Sequence, residues 1–261
     1  MKTTEIGLLL IGHGASQGGG APVRRLADRL RASGMFAQVA ACFWKERPYV
    51  GEGLGLVDAP TVLAVPVFAT EGRIAKDMIP AEMGLSGPVT RFPDGRCVHY
   101  LRPVGVHPGM TSLLKGRALA AAAEGGLDPC RSALMLIAHG NKQGGGARAS
   151  AEAVAQRLRA DESWASVTVL FLEEEPLAQN WREWVPEESV VVVPLLLAAG
   201  QHASRDVAPL FGLAELQSRQ SVSLAFAGRR LAISAGLADD EALAELILLM
   251  CREALLAPNR Q

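Results

Sequence analysis

Residues Leu8–Ala21 read LLLIGHGASQGGGA, and residues Leu134–Ala147 read LMLIAHGNKQGGGA. An apolar run, a His-Gly pair and a glycine triplet thus occur twice, with His13 and His139 standing 126 residues apart. In a chain of 261 residues such a spacing implies two similar halves. The apolar runs Ile6–Ile11 and Ala133–Ala138 have the unbroken character of strands covered on both faces of a parallel sheet.

Working outward, both halves keep one order of elements. The glycine-rich loop leads into an amphipathic helix, Pro22–Ala32 in one half and Ala147–Ala160 in the other. Second strands follow at Val39–Phe43 and Val167–Phe171, and third strands at Thr61–Phe68 and Val190–Leu197, both containing Val-Pro. Each half ends in a predicted fourth strand and a helix: Val98–Leu101 with Thr111–Ala123, and Val222–Phe226 with Asp239–Leu256. Strands alternating with helices predict right-handed crossovers and a mainly parallel sheet, the α/β class. The expected division is 1–123 and 132–261, joined by EGGLDPCR at 124–131. The repeat offset rises from 126 at the histidines to 128 at Phe43/Phe171, which places two inserted residues between the first helix and the second strand. Open parallel sheets form their sites beyond the carboxyl ends of the strands. His13 and His139, just after the first strands, and Gly72 and Gly200, just after the third, belong at those edges. Two facing halves are expected to enclose a shared cleft.

Composition narrows the function. The chain is 49% hydrophobic and 20% charged with a net charge of −1, an ordinary globular balance. Lys and Arg are dispersed, without the basic run or aromatic platform of a nucleic-acid binder. Cys42, Cys97, Cys130 and Cys251 stand far apart with no CxxC, against a zinc ribbon or a disulfide framework. The run Ile6–Ile11 is too short for a signal peptide, and no apolar stretch approaches the ~20 residues of a membrane helix, so a cytoplasmic protein is expected. Gly14–Gly18 spells GxSxG, but it follows the first strand and its repeat copy Gly140–Gly144 lacks the serine, unlike a nucleophile elbow. The glycines do not space as GxGxxG. Gly18–Gly20 and Gly144–Gly146 suit either an anion-binding loop or a plain strand-to-helix turn.

The halves are most informative where they disagree. After the second strands, FWKERP (Phe43–Pro48) faces FLEEEP (Phe171–Pro176), so Lys45 matches Glu173 and Arg47 matches Glu175. After the third, PVFATEGRIAKD (Pro66–Asp77) faces PLLLAAGQHASRD (Pro194–Asp206), so Ile74 stands in place of His202 and Lys76 in place of Ser204. The second half gathers His139, His202 and up to three carboxylates at one edge. Imidazole suits Co, Ni, Fe and Zn ions and accepts protons near neutral pH. The first half keeps His13 and brings Lys45, Arg47, Arg73 and Lys76, which suit anionic groups on a ligand. His99 and His107 lie outside these motifs, and Trp44, Trp164, Trp181 and Trp184 read as packing residues.

These blocks resemble the class II chelatases of the CbiX type, which insert cobalt, or in relatives nickel or iron, into sirohydrochlorin. The resemblance rests on LIAHGNK, FLEEEP and VVPLLLAAGQHASRD in the second half, and on IGHGAS, GMFAQVAACFWKERP and VPVFATEGRIAKDMIP in the first. It implies a flavodoxin-like, chelatase-type sheet in each half and a two-histidine site at His139 and His202, with Glu173 at the acidic position near the metal. Ile74 leaves the first half without its second histidine, so that half would shape the tetrapyrrole pocket, with His13, Lys45, Arg47 and Arg73 as substrate-binding residues. The implied reactants are a small-molecule tetrapyrrole and a divalent metal as substrate, Co2+ foremost and Ni2+ or Fe2+ as alternatives, with no nucleotide, nucleic acid or membrane. A monomer with an internal pseudo-dimer is expected. A metal or tetrapyrrole carrier or sensor that has lost turnover is the alternative, identified by ligand retention without rate enhancement.

Overall fold

The buried central strands organise each sheet. In the computed structural model, which describes residues 5–15, 19–141, 146–197, 206–216, 220–237 and 241–256, β1 (Ile6–Gly12) is buried along its whole length. Each fully buried Leu or Ile contributes roughly 1.5–3 kcal/mol of transfer free energy, so such a strand is held at the centre. Helix α1 (Ala21–Ala32) buries Val23, Leu26, Ala27 and Leu30 on one face. β2 (Gln38–Phe43) and β3 (Thr61–Pro66) pair with β1 in parallel on either side. A π-helical turn, Ile74–Met78, runs into α2 (Ile79–Glu82). β4 (Val89–Arg91) and β5 (Cys97–Tyr100) complete the sheet in the order β2-β1-β3-β5-β4, and only the edge strand β4 is antiparallel.

After α3 (Gly109–Glu124) the pattern repeats. β6 (Ala133–Ala138) is the buried centre, followed by α4 (Gly146–Arg159), β7 (Ser166–Phe171), α5 (Trp181–Trp184), β8 (Ser189–Pro194), β9 (Val222–Phe226), β10 (Arg229–Ile233) and α6 (Glu241–Leu256). The second sheet runs β7-β6-β8-β10-β9, the same topology. The α/β class and the duplicated, mostly parallel sheets are as expected from sequence. Each sheet has one more strand than expected. In the first half the predicted fourth strand is β5, parallel to β3. In the second half Val222–Phe226 is instead the antiparallel edge strand, and Arg229–Ile233 lies beside β8. The alternating exposure of β9 reflects that edge position.

The two inserted residues lie elsewhere than expected. The buried faces of the first helices match at an offset of 128: Val23 with Ala151, Leu26 with Val154, Ala27 with Ala155 and Leu30 with Leu158. The offset has changed before the helix core. Gly20 precedes α1 as its cap, whereas Gly146 is the first residue of α4. Arg31 and Arg159, also 128 apart, bond the carbonyls of Val39 and Val167 and tie each helix to its second strand.

The chain divides into two compact units, Met1–His107 with Asp240–Gln261, and Pro108–Asp239. This division differs from the boundaries of the sequence repeat at 1–123 and 132–261. The last helix of the first repeat, α3, buries Met110, Leu113, Leu114, Ala118, Ala121 and Ala122 and packs on β8, β10 and α4 of the second unit. Lys115 meets Asp161 there at 2.5 Å. The last helix of the second repeat, α6, packs on α1 of the first unit. His107 meets Glu253 at 2.9 Å, and Arg29 lies 3.8 Å from Glu241. Trp164 and Trp181 are buried as expected of packing residues, but Trp184 is 50% exposed. Among the described residues no helix is long and apolar enough to cross a membrane.

Candidate functional site

Strand ends position the candidate residues. In the second unit β6 stops at Ala138, and His139 follows at the carboxyl edge of the sheet. β7 ends beside it, and the backbone N–H of Glu173 donates to the carbonyl of His139 at 3.0 Å. This contact brings the side chains together, with His139 Nδ1 3.6 Å from Glu173 Oε2. Both are half exposed, at 59% and 51%, so a ligand in solution can reach them. His202, Gly200 and Ser204 fall outside the described residues, as do Gly18, Gly144 and Gly145 of the glycine triplets. Among the described residues no group of three metal-ligating side chains converges.

The first unit repeats the backbone and changes the chemistry. The Lys45 N–H donates to the His13 carbonyl at 2.8 Å, as Glu173 does to His139. A cation thus stands where the second unit has a carboxylate. The His13 ring sits edge-on to Phe68, with centroids 6.4 Å apart, and its Nδ1 lies 2.8 Å from the Gly14 carbonyl. Lys45, Arg47 and Arg73 are all exposed. Arg47 pairs with Glu52 at 2.7 Å and lies over the Tyr49 ring. Arg73 caps the π-helical turn that begins at Ile74. Next to it Glu71 is salt-bridged to Arg102 at 2.9 Å, and the hydrogen bond from Arg102 holds its carboxyl below the usual glutamate range against the opposing effect of burial.

The three carboxylates of FLEEEP do not act as one cluster. Glu173 alone faces His139. Glu175 turns onto the backbone N–H of Leu177 at 3.1 Å. Glu174 accepts from the N–H of Asn141 at 3.1 Å and pairs with Arg148, also at 3.1 Å. Arg148 bonds the Glu175 carbonyl as well and lies over the Phe171 ring. Glu46 takes the same part in the first unit. It accepts from the N–H groups of Ala15 and Gly20 at 3.0 and 3.1 Å and from Arg24 at 2.7 Å. Arg24 bonds the Arg47 carbonyl and lies over Phe43. Burial alone would push the Glu46 carboxyl up; the bonds from Ala15, Arg24 and Gly20 outweigh it and hold the carboxyl below its usual range.

These contacts account for the glycine of each His-Gly pair. Gly14 and Gly140 have φ of +69° and +80°, and a Cβ on either would stand 2.7 or 2.8 Å from the Cγ of Glu46 or Glu174. The left-handed backbone and the overlying glutamate both require the missing side chain. Sequence reasoning passed over Glu46 and Glu174. The available signal was that they match each other at an offset of 128 while the residues flanking them reverse charge.

Comparison with known proteins gives concordant matches. The family model described as CbiX matches residues 7–121 and again 133–254. A protein of Halobacterium salinarum named probable sirohydrochlorin cobaltochelatase is 28% identical over 220 residues, 77% of this chain and 74% of that protein. Among solved structures, DR2241 of Deinococcus radiodurans, described as a multi-domain protein with structural similarity to chelatases and two additional novel domains, matches with a TM-score of 0.77 and 28% identity. The match covers 96% of this chain and 55% of that protein, so the chain spans about half its length. SirB of Bacillus subtilis with Fe3+ shares the fold at a TM-score of 0.72 and 17% identity, covering 96% and 95% of the two chains.

Proposed function

Because the chain belongs to the CbiX family, we propose that it is a metal chelatase that inserts a divalent ion, Co2+ foremost, into sirohydrochlorin or a closely related tetrapyrrole. The observation that carries this reading is the facing of His139 and Glu173 at 3.6 Å at the edge of the second sheet, where the first unit has His13 beside Lys45. The name of the Halobacterium protein and a cobalt complex of SirB from Bacillus subtilis support Co2+. Ni2+ and Fe2+ also accept imidazole and carboxylate ligands, so they are the competing substrates.

Insertion exchanges two pyrrolic N–H protons for one M2+. The site must therefore deliver a cation and take up two protons. His139 presents an exposed imidazole able to bind the arriving ion or to accept a proton. Glu173 adds negative charge beside it, which favours an arriving cation. His202 is proposed as the second imidazole. His13, Lys45, Arg47 and Arg73 are proposed to hold carboxylates at the rim of the substrate; for Arg47 this requires exchanging its present partner Glu52 for a substrate group. Metal–nitrogen bond formation drives the exchange, so no nucleotide is required.

The test is anaerobic metallation of sirohydrochlorin by Co2+, followed by absorbance against a protein-free control. The wild type is expected to accelerate it. His139→Ala, His202→Ala and Glu173→Gln are each expected to lower kcat by about 10²-fold or more, the scale of a lost proton-transfer group. Acceleration retained in both histidine variants would overturn the site assignment. Tight retention of ligand without acceleration would indicate a carrier.

A further inference from the structure

The pairing of Glu174 with Arg148 is not explained by the chemistry proposed above. Glu174 follows Glu173 directly, yet its side chain turns inward: it is 16% exposed, against 51% for Glu173. It accepts from the N–H of Asn141, two residues after His139. With the Glu173 N–H donating to the His139 carbonyl, two hydrogen bonds tie His139–Asn141 to Glu173–Glu174. Gly140 lies between these two anchors, under the Glu174 side chain. Arg148 pairs with the partly buried carboxylate and extends the tie to the Glu175 carbonyl and the Phe171 ring.

The first unit provides an independent observation. Glu46 and Arg24 form the same arrangement, but the two arginines are not repeat equivalents. Arg24 lies in the fourth position of α1 and Arg148 in the third position of α4. In the register of the helix cores, 128, Arg24 matches Glu152. Although the insertion moved the start of the helix, an arginine reaches the glutamate in both units. The contact therefore follows the strand-end loop and not the helix sequence.

We propose that Glu174, held by Arg148, is a positioning residue that sets the approach of His139 to Glu173. The inference rests on the metallation reading above. Catalytic groups displaced by about 1 Å lose rate by as much as 10²-fold, so a carboxylate that fixes one loop against another acts on rate without touching the metal.

The experiment compares Glu174→Ala, Glu174→Gln and Arg148→Met with the control Asp128→Ala. The control removes the hydrogen bond that the Cys130 N–H donates to the Asp128 carboxylate at the opposite end of β6. Each is measured well below its own melting temperature. Glu174→Ala is expected to lower kcat about tenfold or more with KM little changed. Glu174→Gln, which keeps an acceptor for Asn141, is expected to recover most of that loss, and Asp128→Ala to leave kcat unaltered. A second readout needs no turnover: the His139 Cε1–H resonance in the full-length protein is expected to move in Glu174→Ala and to stay put in Asp128→Ala. If the wild type fails to metallate sirohydrochlorin, the functional reading falls, while the resonance still tests the positioning. An unmoved resonance, or equal kcat losses in Glu174→Ala and Asp128→Ala, would overturn the proposal.

Discussion

Replacing Gly140 with Ala tests the geometry beneath the His-Gly motif, and a matched control separates its two costs. At Gly140, φ is +80°, which costs an L-residue roughly 1–2 kcal/mol. The added methyl would also stand 2.8 Å from Glu174 Cγ and 3.1 Å from Phe171 Cβ. Phe171 is fully buried, so Glu174 must yield. Its displacement stretches the 3.1 Å bond from Asn141 and the contacts with Arg148. A hydrogen bond to a charged group contributes about 1.5–3 kcal/mol. The expected destabilisation is therefore about 3–4 kcal/mol. Gly228, in the turn between β9 and β10, has nearly the same φ of +77° but no atom within 4 Å of an added Cβ. Gly228→Ala thus carries the backbone cost alone, about 1–2 kcal/mol. Urea titration of both variants should separate them by about 2 kcal/mol, or roughly 4–8 °C in Tm for a chain of this size. Equal losses would show that Glu174 does not press on Gly140, and the account of the motif would fail.

Two further predictions concern the exchanged helices and acid stability. A fragment of residues 1–123 should give no cooperative melt by circular dichroism, because α3 would be severed from the second unit against which it buries Met110, Leu113 and Leu114; a native-like transition would refute the helix exchange. The Glu46 and Glu71 carboxyls lie below their usual range when folded, so the stability they add is present above the unfolded pKa of about 4.3 and is lost as pH falls through the folded value. Wild type should therefore exceed Glu46→Gln in stability at pH 7, with the gap closing below about pH 4.5; a gap independent of pH would remove the charge from the explanation.

Repetition made the sheets legible. Two apolar runs of strand length, each followed by His-Gly, defined the central strands, because burial on both faces demands an unbroken apolar run. The sequence also placed His139 and the three glutamates of FLEEEP at one sheet edge, and the resemblance to the chelatases singled out Glu173 among them. The edge hairpins were harder. β9 and β10 are each only five residues long, so length alone does not tell an edge strand from its inner neighbour.

The duplicated α/β plan, the edge that carries His13 and His139 and the charge reversal between Lys45 and Glu173 are legible in the order of amino acids. Those properties follow from local pattern and from comparing two copies of one unit. Tertiary structure alone decided which unit each terminal helix completes, since α3 and α6 carry apolar faces that fit a sheet without naming which one. It also decided that Glu174 turns inward while Glu173 turns out to His139. Adjacent residues of one type differ only in the direction the backbone gives them, and that direction was set by a turn between strands, a glycine with positive φ and an arginine reaching in from a helix.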